Sequence, residues 1–319
     1  MPFANLSGGV SFYFEDYGVP PSNTQTYTTL VMLHGSAFHS ATFHRLVPFA
    51  HKHDIRLVLL NRRGYPNTTP FTASELQCLD TGDVQAQSNL LASRGSHIAE
   101  FLVCLLGWSL GNSPVVSFLA HVNELTAVEQ AVLETNLRTV IVYDPPSVAL
   151  GLPPPPGTFY IPLQDENIPI ADRLGLFMQW VSSYNTHPIS SLEIHEEIAS
   201  QVSFEPMEAE MKFQAIPTEV YFDHFMRAYF PLLSAGGSEA GEDSHTFTKP
   251  ALPEIRVRHI WCDMSLWNAV WSAWYVEKML AENGSSGGRD VELILFKGVN
   301  HFGHWDRPEE AMALFASLA

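Results

Sequence analysis

Ser109 stands between two glycines in the run Gly107-Trp108-Ser109-Leu110-Gly111. An apolar stretch, 103–106, precedes these residues and a helix-forming stretch follows, so the serine falls on a sharp strand-to-helix turn with its hydroxyl exposed. Glycines two residues to either side relieve the crowding that such a turn creates. A hydroxyl is a weak nucleophile until a base removes its proton. The predicted base is His301, in Asn300-His301-Phe302-Gly303-His304-Trp305-Asp306. An imidazole titrates near neutral pH and can take the serine proton, then return it to a leaving group. His304 is a rival three residues on, but it lies nearer the last helix and reads as structural. A metal site made from both is not expected, because no third ligand keeps a zinc-like spacing with them.

The helix after Ser109 directs its free N–H groups and its positive end at the reacting centre. One expected donor to a developing oxyanion is the Leu110 N–H. The second is the backbone at Gly35 and Ser36, which ends a neighbouring strand. A carboxylate must also hold the histidine in the correct tautomer. Asp144, at the end of the β-branched run 139–143, is the first choice, although an aspartate before two prolines also starts turns. Asp263, in Trp261-Cys262-Asp263-Met264-Ser265, is the alternative.

These residues need a frame. Strands are expected at 10–17, 28–33, 55–60, 103–106, 139–143, 255–261 and 291–296, with helices over 83–100, within 115–137, over 267–280 and over 308–318. Such alternation predicts an α/β fold with a mainly parallel central sheet flanked by helices. Between Gly95 and Gly107 no turn residue occurs, so either the helix ends at Gly95 or its join to the next strand is very tight. A four-proline run, 153–156, interrupts the rhythm, and the segment to Leu233 carries helical stretches rich in large apolar groups. The expected division is a first core part over 1–150, a helical cap and mobile loop over 151–250, and a last core part over 251–319. The run 234–244, small and acidic, is read as that loop.

Trp108, Phe38, Trp180, Tyr184 and Phe225 are the residues expected to contact substrate, although aromatics at helical spacing commonly serve packing. Arg62 and Arg63 are read as structural or solvated and are assigned no role.

Seventeen basic residues against thirty-four acidic ones give a formal charge of -17, which repels nucleic-acid phosphates and anionic headgroups. No nucleic-acid or membrane partner is expected, only a small-molecule substrate, and the oligomeric state stays open. The three cysteines, Cys78, Cys104 and Cys262, form no CxxC pair, and Met1–Gly18 lacks the pattern of a secretion signal. A cytoplasmic location is therefore expected. No cofactor or metal is called for.

The stretches LHG at 33–35, GWSLGN at 107–112 and NHFGHWDRPE at 300–309 resemble the α/β-hydrolase superfamily, in order and spacing, over nearly the whole chain. With NRRGYPNTTPF and YDPP they are similar to uncharacterised fungal α/β-hydrolases, a resemblance that implies the hydrolase fold and no particular substrate. In the superfamily's common pattern the acid comes three residues beyond a glycine. Here Cys262 takes the glycine's place and Ser265 falls where the acid would be. An acid at Asp144 is similar to the arrangement in lactone-opening zearalenone hydrolases and in cofactor-free dioxygenases of the same fold. From the serine, its base and the apolar segment 151–233, the leading expectation is a serine hydrolase cleaving an ester or lactone of a medium-sized, partly apolar molecule through an acyl-serine. The alternatives are a cofactor-independent His/Asp oxygenase and a non-catalytic ligand-binding homologue.

Overall fold

A strand covered by helices on both faces has no solvent side, so it is written as a nearly continuous apolar run instead of an alternating one. The computed structural model describes residues 3–21, 26–99, 104–154, 161–185, 207–231, 252, 254–283 and 289–319. In it the runs form β3 (Thr28–Leu33), β4 (Ile55–Leu60), β5 (Cys104–Trp108) and β6 (Thr139–Tyr143), preceded by β1 (Phe3–Asn5) and β2 (Ser11–Asp16) and followed by β7 (Arg256–Cys262) and β8 (Asp290–Phe296). Their spatial order is β1-β2-β4-β3-β5-β6-β7-β8. The pairs β1–β2 and β2–β4 are antiparallel and all the others are parallel.

Within each inner strand alternate residues divide between two cores. Leu30, Met32, Leu106 and Ile141 join one, with Phe315 of the last helix, Pro308–Leu318. Val31, Leu33, Leu105 and Val140 join the other, with Val115 and Phe118 of the helix Asn112–His121. Buried on both faces, the sheet is a rigid platform. Chain order reverses between β3 and β5, and in such sheets a crevice for ligands opens beyond the strand ends at that point.

The helix predicted over 83–100 runs from Val84 to Ala99 and passes straight through Gly95. A Cβ on Gly95 would sit 2.5 Å from the backbone nitrogen of Phe118 and 2.8 Å from its Cα. The glycine therefore marks a place where two helices touch backbone to backbone, not a helix end. Residues 100–103 lie outside the described residues, as do 155–156 of the proline run and the expected loop at 234–244.

Between β6 and β7 the described chain forms the helices Ile170–Val181, Met207–Gln214 and Thr218–Tyr229. Phe213, Val220 and Tyr221 of the latter two pack on Leu79, Leu90 and Leu91, from the helices Ala73–Asp80 and Val84–Ala99. The far end of Thr218–Tyr229 turns inward, and Phe225 and Tyr229 belong to the core around Val115 and Phe118. Among the described residues, no helix is long and apolar enough to cross a membrane.

Candidate active site

The turn after β5 gives Ser109 a φ of 56°, the left-handed region that a side chain enters only under constraint. Two contacts impose it. The Asn112 side chain donates to the Ser109 carbonyl at 2.8 Å and to the Tyr143 carbonyl at 3.0 Å, tying the elbow to the end of β6. A Cβ on Gly111 would lie 2.4 Å from the His34 carbonyl oxygen, so only glycine lets the elbow press against the end of β3. A Cβ on Gly35 would likewise meet the Ser109 Cβ at 2.8 Å.

Three segments distant in sequence meet at this turn. His301 Nε2 lies 2.9 Å from Ser109 Oγ, and His301 Nδ1 lies 2.6 Å from Asp144 Oδ2. Asp144 follows β6 with a φ of 46° and is fully buried. Its Oδ1 accepts the Cys262 N–H at 3.0 Å, and its Oδ2 accepts the Ser265 hydroxyl as well as His301. A buried carboxylate needs such donors to remain an anion without a large desolvation cost. An ionised carboxylate only accepts, so His301 carries its proton on Nδ1 and turns the Nε2 lone pair to the serine hydroxyl. The Trp108 indole N–H donates to the His301 carbonyl at 2.9 Å and fixes the histidine backbone to the nucleophile strand.

Asp263 does not reach the ring. Its carboxylate takes the Gly298 N–H and closes the turn after β8. His304 is fully buried among the rings of Trp108, Phe43 and Phe302, with Thr42 Oγ1 3.4 Å from its Nε2. Burial, with the nearby His301, holds its pKa well below the ordinary histidine value, so it is a neutral packing residue. Among the described residues, no group of three or more His, Cys, Asp or Glu could hold a metal ion.

Facing Ser109 and His301 is a cavity with about 510 Å³ of empty space, its mouth included. Phe38, Leu110 and Leu266 line it, together with Ile161, Phe177 and Trp180 from the chain between β6 and β7. Three residues expected to contact substrate lie elsewhere. Trp108 is fully buried beneath His301, because the indole is consumed as a strut. Tyr184 donates its hydroxyl to Asp306 at 2.6 Å. Phe225 faces the core below the sheet, because its helix turns inward there. Ser36, at the cavity wall, gives its hydroxyl proton to Glu210, so only its backbone N–H is free to serve an oxyanion.

Sequence reasoning gave no role to Asn112, Ser265 or Glu210. The first two could have been found, since Asn112 abuts the elbow and Ser265 fills the position of the missing acid. Glu210 carries no signal, because nothing in a helical stretch reveals which distant loop it meets.

A parallel sheet with a strained serine after its central strand and a histidine and acid at neighbouring strand ends defines the α/β-hydrolase class. The chain matches the Alpha/beta hydrolase family over residues 30–314 and belongs to it. Among solved structures it resembles a carboxylesterase of the thaumarchaeon Nitrososphaera gargenis, with 14% identity, 99% and 97% of the two chains covered and a TM-score of 0.54. It also resembles the epoxide hydrolase VrEH1 of Vigna radiata, with 13% identity, 99% and 96% coverage and a TM-score of 0.57. An α/β-hydrolase fold protein from Burkholderia ambifaria gives 17% identity, 98% and 96% coverage and a TM-score of 0.57. At such identities the likeness concerns the fold alone. No curated protein sequence matches the chain.

Proposed function

We propose that the protein is a serine hydrolase that cleaves an ester or lactone of a medium-sized, partly apolar molecule. The observation that carries this reading is the relay from Ser109 through His301 to Asp144, with steps of 2.9 and 2.6 Å, at the floor of an apolar cavity. Ser109 Oγ attacks the carbonyl carbon while His301 Nε2 takes its proton. The oxygen that becomes negative is held by the N–H groups of Leu110 and Ser36. The carbon–oxygen bond breaks, the alkoxide takes the proton from His301, and an acyl-serine remains. In a lactone the new alcohol stays tethered. Water then attacks the acyl carbon, giving one proton to His301, and the proton returns to Ser109 as the acid leaves. The cycle uses no cofactor. A serine in the elbow favours this chemistry over epoxide opening, which needs a carboxylate nucleophile at that position. The free thiols of Cys78, Cys104 and Cys262 suit a reducing, cytoplasmic setting.

The test is Ser109→Ala against a panel of aryl esters and lactones, with fluorophosphonate labelling read by intact mass. The wild type should gain one adduct and turn over at least one ester or lactone. The variant should gain none and lose about 10³-fold or more in kcat. Turnover that survives in Ser109→Ala but not in His301→Ala would overturn the acyl-serine step in favour of chemistry driven by the His301 base alone, and its dependence on O2 with an oxidisable substrate would mark an oxygenase. A wild type that neither labels nor turns over would mark a binding protein.

A further inference from the structure

Residues 34–37 form the loop that must supply the second oxyanion donor. Most of its braces come from the core. His34 Nδ1 donates to the Gly35 carbonyl at 2.8 Å, and its Nε2 accepts the Arg62 N–H at 3.0 Å. Burial and the charge of Arg62 hold the ring neutral, as this pair of bonds requires. Arg62 Nη2 donates to the same Gly35 carbonyl at 3.0 Å, and the Ala37 N–H meets the Tyr65 hydroxyl at 3.1 Å.

One brace comes from the helix Met207–Gln214. The Ser36 hydroxyl donates to Glu210 Oε2, 174 residues further along the chain. The other carboxylate oxygen lies 3.1 Å from Arg62 Nη1. Ser36, Arg62 and Glu210 are each at most 6% exposed, so water does not weaken these contacts. Burial raises the Glu210 carboxyl, but the Arg62 and Arg94 guanidiniums and the Ser36 hydroxyl outweigh it and hold it below the usual carboxylate range.

The Gly35 carbonyl and the Ser36 N–H belong to one planar peptide unit and point in opposite directions. Arg62 and His34 pin its oxygen, while Glu210 pins the side chain of the next residue and also the guanidinium that reaches the oxygen. We propose that Glu210 is a positioning residue for the oxyanion loop, so that the oxyanion hole is complete only while the helix Met207–Gln214 is seated. This rests on the serine-hydrolase reading. The helix is seated by Phe213, which packs on Phe71 with ring centroids 5.1 Å apart and lies under the Arg94 guanidinium at 4.1 Å. Lifting it would strip Arg62 and Arg94 of a buried counter-charge and free the peptide that carries the Ser36 N–H. Seating of the helix Met207–Gln214 and readiness for chemistry are thereby one event.

The experiment compares Ser36→Ala, Glu210→Gln and the double variant of the full chain. It measures kcat and KM on an active ester, the affinity of an alkyl boronic acid that mimics the tetrahedral intermediate, and Tm. Each single change should lower kcat about 10- to 100-fold with KM within about threefold, and weaken the boronate in the same proportion, because a misplaced donor is felt in the transition state. The double variant should be no worse than the poorer single, since both changes act through the one Ser36–Glu210 contact. Ser36→Ala keeps the Glu210–Arg62 pair and guards against loss of folding in Glu210→Gln. Unchanged kcat and boronate affinity, a rise in KM alone, or effects that multiply would overturn the inference. A wild type that neither labels at Ser109 nor binds boronate overturns the hydrolase reading and this inference together. A wild type that does both, with variants indistinguishable from it, overturns this inference alone.

Discussion

The Ser265 hydroxyl and the His301 Nδ1 converge on one oxygen of Asp144, and they lie 3.3 Å from each other. Ser265 is itself buried, so its side chain stands close enough to the ring to exchange roles with the aspartate.

That proximity predicts a transplantable acid. Asp144→Asn should lower kcat about 10³- to 10⁴-fold, because an amide no longer enforces the productive tautomer. Adding Ser265→Asp in the same chain should recover at least about tenfold of the loss. The comparison is of kcat for the two variants and the wild type on one ester. No recovery in a folded double variant would mean that a carboxylate at 265 cannot align with the ring.

The cavity-wall aromatics and those held elsewhere should separate in kinetics. Phe177 and Trp180 lie with ring centroids 5.9 Å apart on the wall, so Trp180→Ala should raise KM for apolar esters about tenfold with a smaller change in kcat. Phe225→Ala should instead cost about 3–5 kcal/mol of stability by opening a core cavity. Its KM should stay near that of the wild type at temperatures where it is folded. Tyr184→Phe removes the hydrogen bond to Asp306 and should cost only about 0.5–1.5 kcal/mol. Denaturant titrations and initial rates on the same preparations check all three.

Stability should fall steadily in mild acid. Burial lowers the pKa of His34, His224, His259 and His304, taking His224 and His259 to about 3. Unfolded histidines bind protons near pH 6.5, so the unfolded chain takes up protons that the folded one refuses. The contribution of these groups is fully present above about pH 6.5 and drains away as the pH drops toward 3, at up to about 1.4 kcal/mol per pH unit for each group. Glu15 adds a lower limb. Burial raises it, but hydrogen bonds from His44, Tyr17 and Ser40 prevail and hold it at about 2, so its share is lost between about pH 4.5 and 2. Urea unfolding at pH 7, 5.5 and 4.5 should show the decline. His259→Gln, which can still meet the Tyr229 hydroxyl but does not titrate, should flatten the slope by up to about one proton.

What the sequence determined by itself was whatever is written locally. The runs 28–33, 55–60 and 139–143 emerge as strands with those same bounds, because a strand buried on both faces reads as a nearly continuous apolar run, broken here only toward its start by Thr28, Thr29, Arg56 and Thr139. The elbow at Ser109 and the helix from Pro308 were legible for a similar reason, since glycine and proline answer to the backbone angles of their own turns. Gly95 left the end of its helix undecided, because a glycine required by a neighbouring helix looks the same in sequence as one that ends its own helix.

Only the tertiary structure could decide between Asp144 and Asp263. Both follow a strand, and the choice depends on which carboxylate faces the ring across a gap that no local pattern encodes. The same holds for Phe225, turned into the core by the path of its helix, and for Glu210, whose partners lie more than a hundred residues away. Backbone preference acts over a few residues and leaves its mark in the sequence. The meeting of side chains depends on where rigid elements come to rest against one another, and that is settled only when the whole core has packed.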